Sequence, residues 1–317
     1  MAKKSQKKNS KKVLAFDLGG TKLALAVVNQ KGQILTEQRV SVSKSGGAKS
    51  LIDQMANLAK PLVKEFGVKS GAIASAGPLD PRAGVLLNPT NFKTAGQSWG
   101  VVPLVAELRK KIKIPLTLEN DAAAAALAEK WLGAGQGSDN LVILTLGTGL
   151  GVGVIANGEL VRSGRYLHPE AGHIIISVND KEWLCGCGNY GCAEAMLSGV
   201  NFTKKLAERW SEPDLTGERL VSRARLGEEK AIQEFKKYGE LLATYICSIV
   251  VLFSPEKVIL SGGFSHAADL FLPACRARLI ELIKTRRSKI DLMPEVLLSP
   301  FRDEAGIIGA AFIALNI

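Results

Sequence analysis

The chain has no apolar run long enough to cross a bilayer, which takes roughly 20 residues in a helix. The longest candidate, residues 245–253, is followed at once by Ser254 and Pro255. The N-terminus carries lysines but no apolar segment typical of a signal peptide, because the first apolar run stops at Asp17. We therefore expect a soluble, cytoplasmic protein with no membrane partner.

Acidic residues are outnumbered, with 30 Asp and Glu against 41 Lys and Arg, which gives a net charge of +11. More than half of that excess lies in residues 1–12, which hold six lysines and no acid. Modules that stack nucleic-acid bases need aromatic residues, and this segment has none. We predict that residues 1–12 form a disordered, solvated arm and expect no nucleic-acid partner.

Cysteine is scarce, and three of the five cysteines fall in one C-x-C-G-x-x-G-C motif. The motif contains Cys185, Cys187 and Cys192, and His173 precedes it by twelve residues. Three thiolates and one imidazole suffice for a closed tetrahedral Zn²⁺ site, which is structural because no position is left for water. A disulfide is the alternative, but three clustered cysteines cannot all pair, and a cytoplasmic location disfavours disulfides. The motif predicts structural zinc.

The rest of the composition is that of a globular protein. A chain of 317 residues with 46% apolar residues can form about two domains with sizeable cores. Apolar runs typical of strands alternate with amphipathic helical segments, which indicates an α/β fold. The pattern predicts strands at 70–76, 114–118 and 257–260 and helices at 50–66, 102–111, 121–133 and 305–315.

The chain contains an internal repeat. The segment FDLGGTKLALAVVNQKGQIL at 16–35 resembles the later segment LTLGTGLGVGVIANGELV at 144–161. In each, an apolar run meets a Gly/Thr turn, a second apolar run follows, and an Asn and Gly make another turn. Leu18 matches Leu146, and Asn29 matches Asn157, at a constant offset. Two related hairpins of this kind predict two similar halves.

Neither turn is a Walker A loop, because residues typical of a strand follow each one where that loop requires a helix. Taken singly, each turn is compatible with an ordinary hairpin. Yet successive backbone N–H groups in such turns form an anion-binding concavity, and glycine lets a phosphate oxygen approach the main chain. Two such turns facing each other would hold the phosphates of one nucleotide.

Carboxylates mark two further places. In LENDAAAA, Asn120 and Asp121 stand at the start of an alanine-rich helix. There Asp121 is either an N-cap or a base that accepts a proton from a substrate hydroxyl, kept ionised by the helix dipole. Glu170 and Glu194 flank the cysteine motif. They are either surface carboxylates or acceptors for a hydroxyl-rich ligand.

Together these motifs resemble the ROK family (repressors, open reading frames and kinases) of the sugar-kinase/actin/Hsp70 superfamily, from Val13 to about Leu315. The cysteine motif and the E-x-G-H sequence at 170–173 are the most specific parts. The resemblance implies an α/β, two-domain actin-like ATPase fold with ribonuclease H-like halves and an interdomain cleft. The domains expected are a small one of residues 13–120 plus 301–317, and a large one of residues 121–300 with the zinc-binding loop.

The resemblance also implies roles for individual residues. Asp121 corresponds to the general base, and Asp17 to the residue that orients Mg²⁺. Residues expected at ATP are Gly19, Gly20, Thr21, Lys22, Thr148, Gly149, Gly262 and Gly263. Those expected at the sugar are Gly77, Asn91, Asn120, Asp121, Glu170, His173 and Glu194. The expected metal ligands are His173, Cys185, Cys187 and Cys192.

The activity implied is ATP-dependent phosphorylation of a hexose, with glucose to glucose 6-phosphate expected first. Fructokinase, mannokinase and N-acetylhexosamine kinase activities are alternatives. Three departures from the family pattern border the presumed sugar pocket: His168 and its neighbours before Glu170, Ala76 before Gly77, and a longer step from Asn91 to Trp99. Family members are often homodimers or homotetramers.

Two functions without catalysis compete with the kinase prediction. Family regulators carry a DNA-binding helix-turn-helix domain before the first phosphate motif, and the twelve residues before Val13 are too few for one. We therefore do not expect a repressor. A sugar sensor without activity stays open, because motifs alone do not distinguish it from an enzyme.

Overall fold

The computed structural model describes residues 11–89, 92–164, 167–179, 181–286, 291–301 and 303–317. The chain divides into two compact units. The first contains the described residues up to Ala128, the short segment at 163–167 and Glu304–Ile317. The second contains Glu129–Arg162 and the described part of His168–Asp303.

Strands and helices are numbered in chain order. The strands of the described residues are β1 Lys12–Leu18, β2 Lys22–Asn29, β3 Ile34–Ser41, β4 Gly71–Ser75, β5 Leu79–Asp80, β6 Val85–Leu87, β7 Lys93–Thr94, β8 Gln97–Ser98, β9 Val101–Val102, β10 Leu116–Asn120, β11 Leu141–Leu146, β12 Leu150–Ala156, β13 Glu159–Leu160, β14 Lys257–Ser261 and β15 Glu295–Leu298. The helices are α1 Gly47–Phe66, α2 Leu104–Ile112, α3 Asp121–Leu132, α4 Ala193–Leu197, α5 Gly199–Trp210, α6 Gly217–Arg225, α7 Glu229–Phe253, α8 Ala268–Arg286 and α9 Ala305–Leu315. Short 3₁₀ turns lie at Ala171–His173 and Gly263–Ala267.

The first unit is built on a sheet of five strands in the order β10-β4-β1-β2-β3. The hairpins β1–β2 and β2–β3 are antiparallel, whereas β4 and β10 run parallel to β1. Side chains of β1 alternate, as the period of a strand requires. Leu14 and Phe16 pack in the cluster that includes α1 and α2 residues, whereas Val13 and Ala15 pack with α9. The sheet is therefore covered on both faces.

The α9 face of this sheet is lined by small residues, so the backbones approach closely. A Cβ on Gly309 of α9 would overlap the carbonyl oxygen of Ala124 in α3. Only glycine fits there without displacing one of the two helices. This contact fixes the position of α9 within the first unit.

The second unit repeats the arrangement, with the order β13-β12-β11-β14-β15. Again two antiparallel hairpins are followed by two parallel strands. The order and directions of all five strands match those of the first sheet, which confirms the prediction of two similar halves. The predicted strands and helices are also found, within about two or three residues at each end.

The two repeated segments nevertheless differ in alignment by one residue after the first turn. Leu18 pairs with Leu23 across four intervening residues, whereas Leu146 pairs with Leu150 across three. Consequently Asn29 lies within β2, opposite Lys12, while Asn157 lies beyond β12. The predicted equivalence of these two asparagines is wrong, because the first turn contains an extra residue. Asn157 and Gly158 instead form a tight turn with φ of 52° and 81°, typical of type I′ hairpins.

After residue 194 the second unit is mainly helical, as predicted. Its core includes an aromatic group in which the Tyr238 ring lies 4.9 Å from the Phe202 and Phe271 rings. Phe264, which follows Gly262 and Gly263, packs against the same group. The strand end at β14 is thus anchored in the core. Among the described residues, no helix has the length and apolar character that crossing a membrane requires.

Candidate active site

Polar residues of the first unit collect where its parallel strands end. In the registers of β1, β4 and β10, Leu18, Ser75 and Asn120 stand in one row. Asp17 precedes that row, and Gly77 and Asp121 follow it. Neighbouring strands lie about 4.8 Å apart. The carboxyl edge of this sheet therefore brings together four of the predicted site residues, Asp17, Gly77, Asn120 and Asp121, at the kind of edge where α/β folds bind ligands.

The start of α3 is capped by Asn120 and not by Asp121. The Asn120 Oδ1 accepts hydrogen bonds from the backbone N–H of Ala122 at 2.9 Å and of Ala123 at 3.1 Å. These are the bonds of an N-cap, so the alternative in which Asp121 is the cap is wrong. Asp121 is the first helical residue, half-buried, with its Oδ1 2.8 Å from the Ala122 nitrogen. The helix N-terminus favours its ionised form.

Asp17 contacts the beginning of α9. A Cβ on Gly306 would lie 2.6 Å from the Asp17 Oδ2. The glycine thus makes room for this carboxylate beside the first turn of the helix, where the dipole stabilises negative charge. The position of Asp17 depends on a residue almost 300 positions later in the chain.

The first glycine turn, residues 19–22, follows Asp17 and Leu18. Its backbone closes through the N–H of Gly19, which donates to the Lys22 carbonyl at 2.9 Å. The Thr21 carbonyl accepts from the N–H of Val42 at 2.9 Å. Gly19 and Gly20 are half-buried, whereas the Thr21 and Lys22 side chains are exposed and so accessible to a ligand.

The second glycine turn, residues 147–149, follows β11 in the second unit. The N–H of Gly147 donates to the Gly149 carbonyl at 3.1 Å, and Thr148 is exposed. The parallel neighbour β14 places Ser261 opposite Thr145, so Gly262 and Gly263 lie at the same sheet edge as the turn. Gly262 has φ of 84°, and a Cβ there would lie 2.5 Å from the Leu146 carbonyl oxygen. Glycine is required at this position by both conformation and space.

The four predicted metal ligands come together in the second unit. The donor atoms of His173, Cys185, Cys187 and Cys192 all lie within 4.8 Å of one another. Isolated antiparallel β-bridges pair Ile175 with Cys192 and Leu184 with Tyr190, and they bring these segments side by side. All three cysteines of the cluster are free thiols, so the disulfide alternative is not adopted.

The chemistry of this cluster suits a cation. Burial raises the pKa of the Cys185 thiol to about 12, whereas a backbone hydrogen bond from Asn189 lowers the pKa of Cys187. A buried thiolate such as that of Cys185 needs a nearby positive charge to form at neutral pH. Three sulfur ligands and one nitrogen provide four donors, enough to enclose a metal ion. The cluster could therefore hold a metal.

Glu170 lies between two imidazoles. Its Oε1 is 3.2 Å from the His168 Nε2, and its Oε2 is 3.9 Å from the His173 Nε2. The hydrogen bond from His168 lowers the pKa of Glu170, so the carboxylate is ionised at neutral pH. Sequence reasoning assigned no role to His168, although its position two residues before the candidate acid Glu170 was the available signal.

Glu194 contacts the second glycine turn, which the sequence did not predict. Its Oε2 accepts the N–H of Leu150 at 3.0 Å, and its Oε1 lies 3.7 Å from the Cys185 sulfur. Glu194 is half-buried on α4, two residues after the candidate ligand Cys192. The remaining candidate, Asn91, lies outside the described residues.

Comparisons with known proteins agree with this geometry. Residues 13–317 match the model of the ROK family. A glucokinase of Thermotoga maritima is 31% identical over 95% of this chain and 96% of its own length. An N-acetyl-D-glucosamine kinase of Escherichia coli is 29% identical over 95% and 98%. A crystal structure of a ROK family glucokinase from Streptomyces griseus, in complex with glucose and AMPPNP, is 28% identical, covers 96% of this chain and 100% of its own, and superposes with a TM-score of 0.81.

Proposed function

The chain belongs to the ROK family and is a sugar kinase of the actin-like ATPase fold, and we propose that it transfers the γ-phosphoryl group of ATP to glucose. The observation that carries this proposal is the placement of Asp121. It stands at a sheet edge and a helix N-terminus while Asn120 accepts the capping hydrogen bonds. Glucose is placed first because of the glucokinase relative, and N-acetylglucosamine second because of the relative at 29% identity.

In the proposed reaction Asp121 is the general base. It accepts the proton of the sugar hydroxyl as that oxygen attacks the γ-phosphorus of ATP. The bond from the γ-phosphorus to the β,γ-bridging oxygen breaks, and ADP leaves. A positioned base contributes about 10²–10⁴-fold to such a step. The remainder of catalysis comes from alignment and neutralisation of charge.

The two glycine turns are proposed to bind the phosphates of ATP. Their backbone N–H groups and the exposed side chains of Thr21, Lys22 and Thr148 suit anionic oxygens. Gly262 and Gly263, at the edge shared with the second turn, are assigned to the adenosine. Asp17 is assigned to the Mg²⁺ that accompanies ATP, since hard oxygen ligands suit this ion.

The sugar hydroxyls are assigned to the residues that the family resemblance implies. Asn120 and Gly77 belong to the edge that carries Asp121. Glu170, with its lowered pKa, and His173 offer a charged acceptor and an imidazole for two further hydroxyls. Asn91 and Glu194 complete the proposed set.

The metal of the cysteine cluster is proposed to be Zn²⁺. When bound it would hold the segments of His173, Cys185, Cys187 and Cys192 in place, without an open position for chemistry. It would thereby fix the side chains of Glu170 and Glu194, which adjoin these ligands in the sequence.

Replacing Asp121 tests the catalytic assignment. We expect Asp121→Asn to lose about 10²–10⁴-fold in turnover while glucose affinity changes little, because only the proton acceptor is removed. Turnover is measured by coupled ADP release and affinity by calorimetry. Asp53→Asn, at an exposed ion pair with Lys111 in the same unit, is the matched control. Full turnover in Asp121→Asn would contradict the assignment.

A substrate panel tests the choice of sugar. Coupled ADP release with glucose, N-acetylglucosamine, mannose and fructose should give the highest kcat/KM for glucose. A higher value for another hexose would change the substrate and leave the kinase activity in place. Sugar binding without ADP release from any hexose would instead indicate a sensor.

A further inference from the structure

Leu150 follows the second glycine turn. Both its N–H and its carbonyl contact residues near the candidate metal ligands, namely Glu194 and Gly172. Its N–H donates to the Glu194 Oε2 at 3.0 Å. Its carbonyl oxygen lies so close to Gly172 that a Cβ there would overlap it. Gly172 immediately precedes His173, and Glu194 follows Cys192 by two residues. Two segments that supply metal ligands therefore meet at one residue of the turn hairpin.

The turn itself is shaped to admit Glu194. A Cβ on Gly149 would lie 2.6 Å from the Glu194 Oε2, so any larger residue at 149 would displace the carboxylate. At the other end of the turn, the Gly147 carbonyl accepts the N–H of Val200 at 3.4 Å. Both ends of the turn thus contact the chain that follows Cys192.

The element that carries Glu194 is anchored in turn. The buried hydroxyl of Tyr238, on α7, donates to the Leu197 carbonyl at the end of α4 at 2.8 Å. At the start of α4, Cys192 is fully buried within the metal cluster. Because both ends of this short helix are fixed, the Glu194 carboxylate has a defined position from which to orient Leu150.

We propose that Glu194 is a positioning residue for the nucleotide, which fixes the second glycine turn and links its geometry to the metal cluster. The inference rests on the proposed function, in which that turn binds ATP phosphates. Glu194 would then affect nucleotide affinity even when no sugar is present. A carboxylate that served only as a sugar ligand would have no such effect.

Nucleotide binding without sugar tests this inference. We expect Glu194→Ala to bind Mg²⁺-AMPPNP about tenfold more weakly than the wild type, as expected from loss of a charge-assisted hydrogen bond. Glu194→Gln keeps an acceptor for the Leu150 N–H and should restore most of that affinity. Glu208→Ala removes an exposed carboxylate of the same unit that pairs only at the surface with Lys205, and it should leave nucleotide affinity unchanged. Calorimetry measures all four proteins.

Amide hydrogen exchange provides a readout independent of ligands. The Leu150 amide should exchange faster in Glu194→Ala and after chelation of the metal, and at the wild-type rate in Glu208→Ala. Gly149→Ala, which retains Glu194 but displaces its carboxylate, should reproduce the effect and serves if Glu194→Ala does not fold.

The outcomes separate the two proposals. Wild-type nucleotide affinity and Leu150 exchange in both Glu194→Ala and Gly149→Ala would overturn the positioning role. Failure of the wild-type protein to bind any adenine nucleotide would contradict the kinase proposal, while the exchange measurement would still test the contact between Glu194 and the turn.

Discussion

The two glycine turns have the same place in two matching sheets, yet they are supported differently. The first turn is held by two backbone hydrogen bonds. The Gly19 N–H donates to the Lys22 carbonyl within the turn, and the Val42 N–H, just after β3, donates to the Thr21 carbonyl. The second is held by the chain that follows the candidate metal ligand Cys192, through Glu194 and Val200. Equal topology therefore does not imply equal dependence on the remainder of the unit. The first turn depends on local pairing, whereas the second depends on Glu194, 44 positions from Leu150, and on Val200, 53 positions from Gly147.

Beside each turn a carboxylate contacts a glycine, but the hairpin supplies the carboxylate in the first unit and the glycine in the second. In the first unit the acid, Asp17, belongs to the hairpin, and Gly306 belongs to the packing helix α9. In the second unit the glycine, Gly149, belongs to the turn, and Glu194 belongs to the packing helix α4. In both cases the absence of a Cβ determines where the charge lies.

Removal of the metal should give the largest effect and should separate the two turns. Chelation, or Cys187→Ser, is expected to reduce the free energy of unfolding of the second unit by about 4 kcal/mol, since a tightly bound ligand stabilises the folded state by this order. Amide exchange should rise at Gly147 and Leu150 and stay unchanged at Gly19. Cys247→Ser, a buried thiol in α7 outside the cluster, is the control. Equal changes at both turns would contradict the comparison.

Gly262→Ala should give the next largest effect. The added Cβ meets Leu146, the last residue before the second turn, at a backbone conformation that L-residues rarely adopt. We expect a loss of about 3 kcal/mol in the free energy of unfolding, measured with urea. Gly263→Ala is the matched control, because a Cβ there has no atom of the described residues within 4 Å. Similar losses in the two variants would show that the contact with Leu146 is not the cause.

Gly306→Ala should give the smallest effect and tests the position of Asp17, which lies just before the first turn. The Cβ would push on the Asp17 carboxylate, and we expect turnover to fall about tenfold, or about 1.4 kcal/mol in activation free energy, with stability nearly unchanged. Gly217→Ala, at the first residue of α6, adds a Cβ at an ordinary 3.5 Å from Thr203 and is the control. Wild-type turnover in Gly306→Ala would mean that the position of Asp17 is not critical.

Much of the site followed from local sequence. Candidate metal ligands were predicted from the spacing of Cys185, Cys187 and Cys192 and from His173, and the structure brings their donor atoms together. The helix start at 120–121 was also predicted, with Asp121 either the N-cap or a base, and the structure shows that Asn120 is the cap. Asn and Asp are comparable N-caps, so only the backbone position of each distinguishes Asn120 from Asp121.

By itself the sequence determined the hairpins, the turns, the α/β alternation and the candidate metal cluster, because these depend on residues near one another in the chain. Only the tertiary structure decided which distant groups meet: Leu150 with Glu194, Asp17 with Gly306, and Gly262 with Leu146. It also decided the one-residue displacement between the two hairpins. Side-chain period and turn chemistry are local properties, whereas the contact of a carboxylate with one backbone N–H depends on how packed elements align.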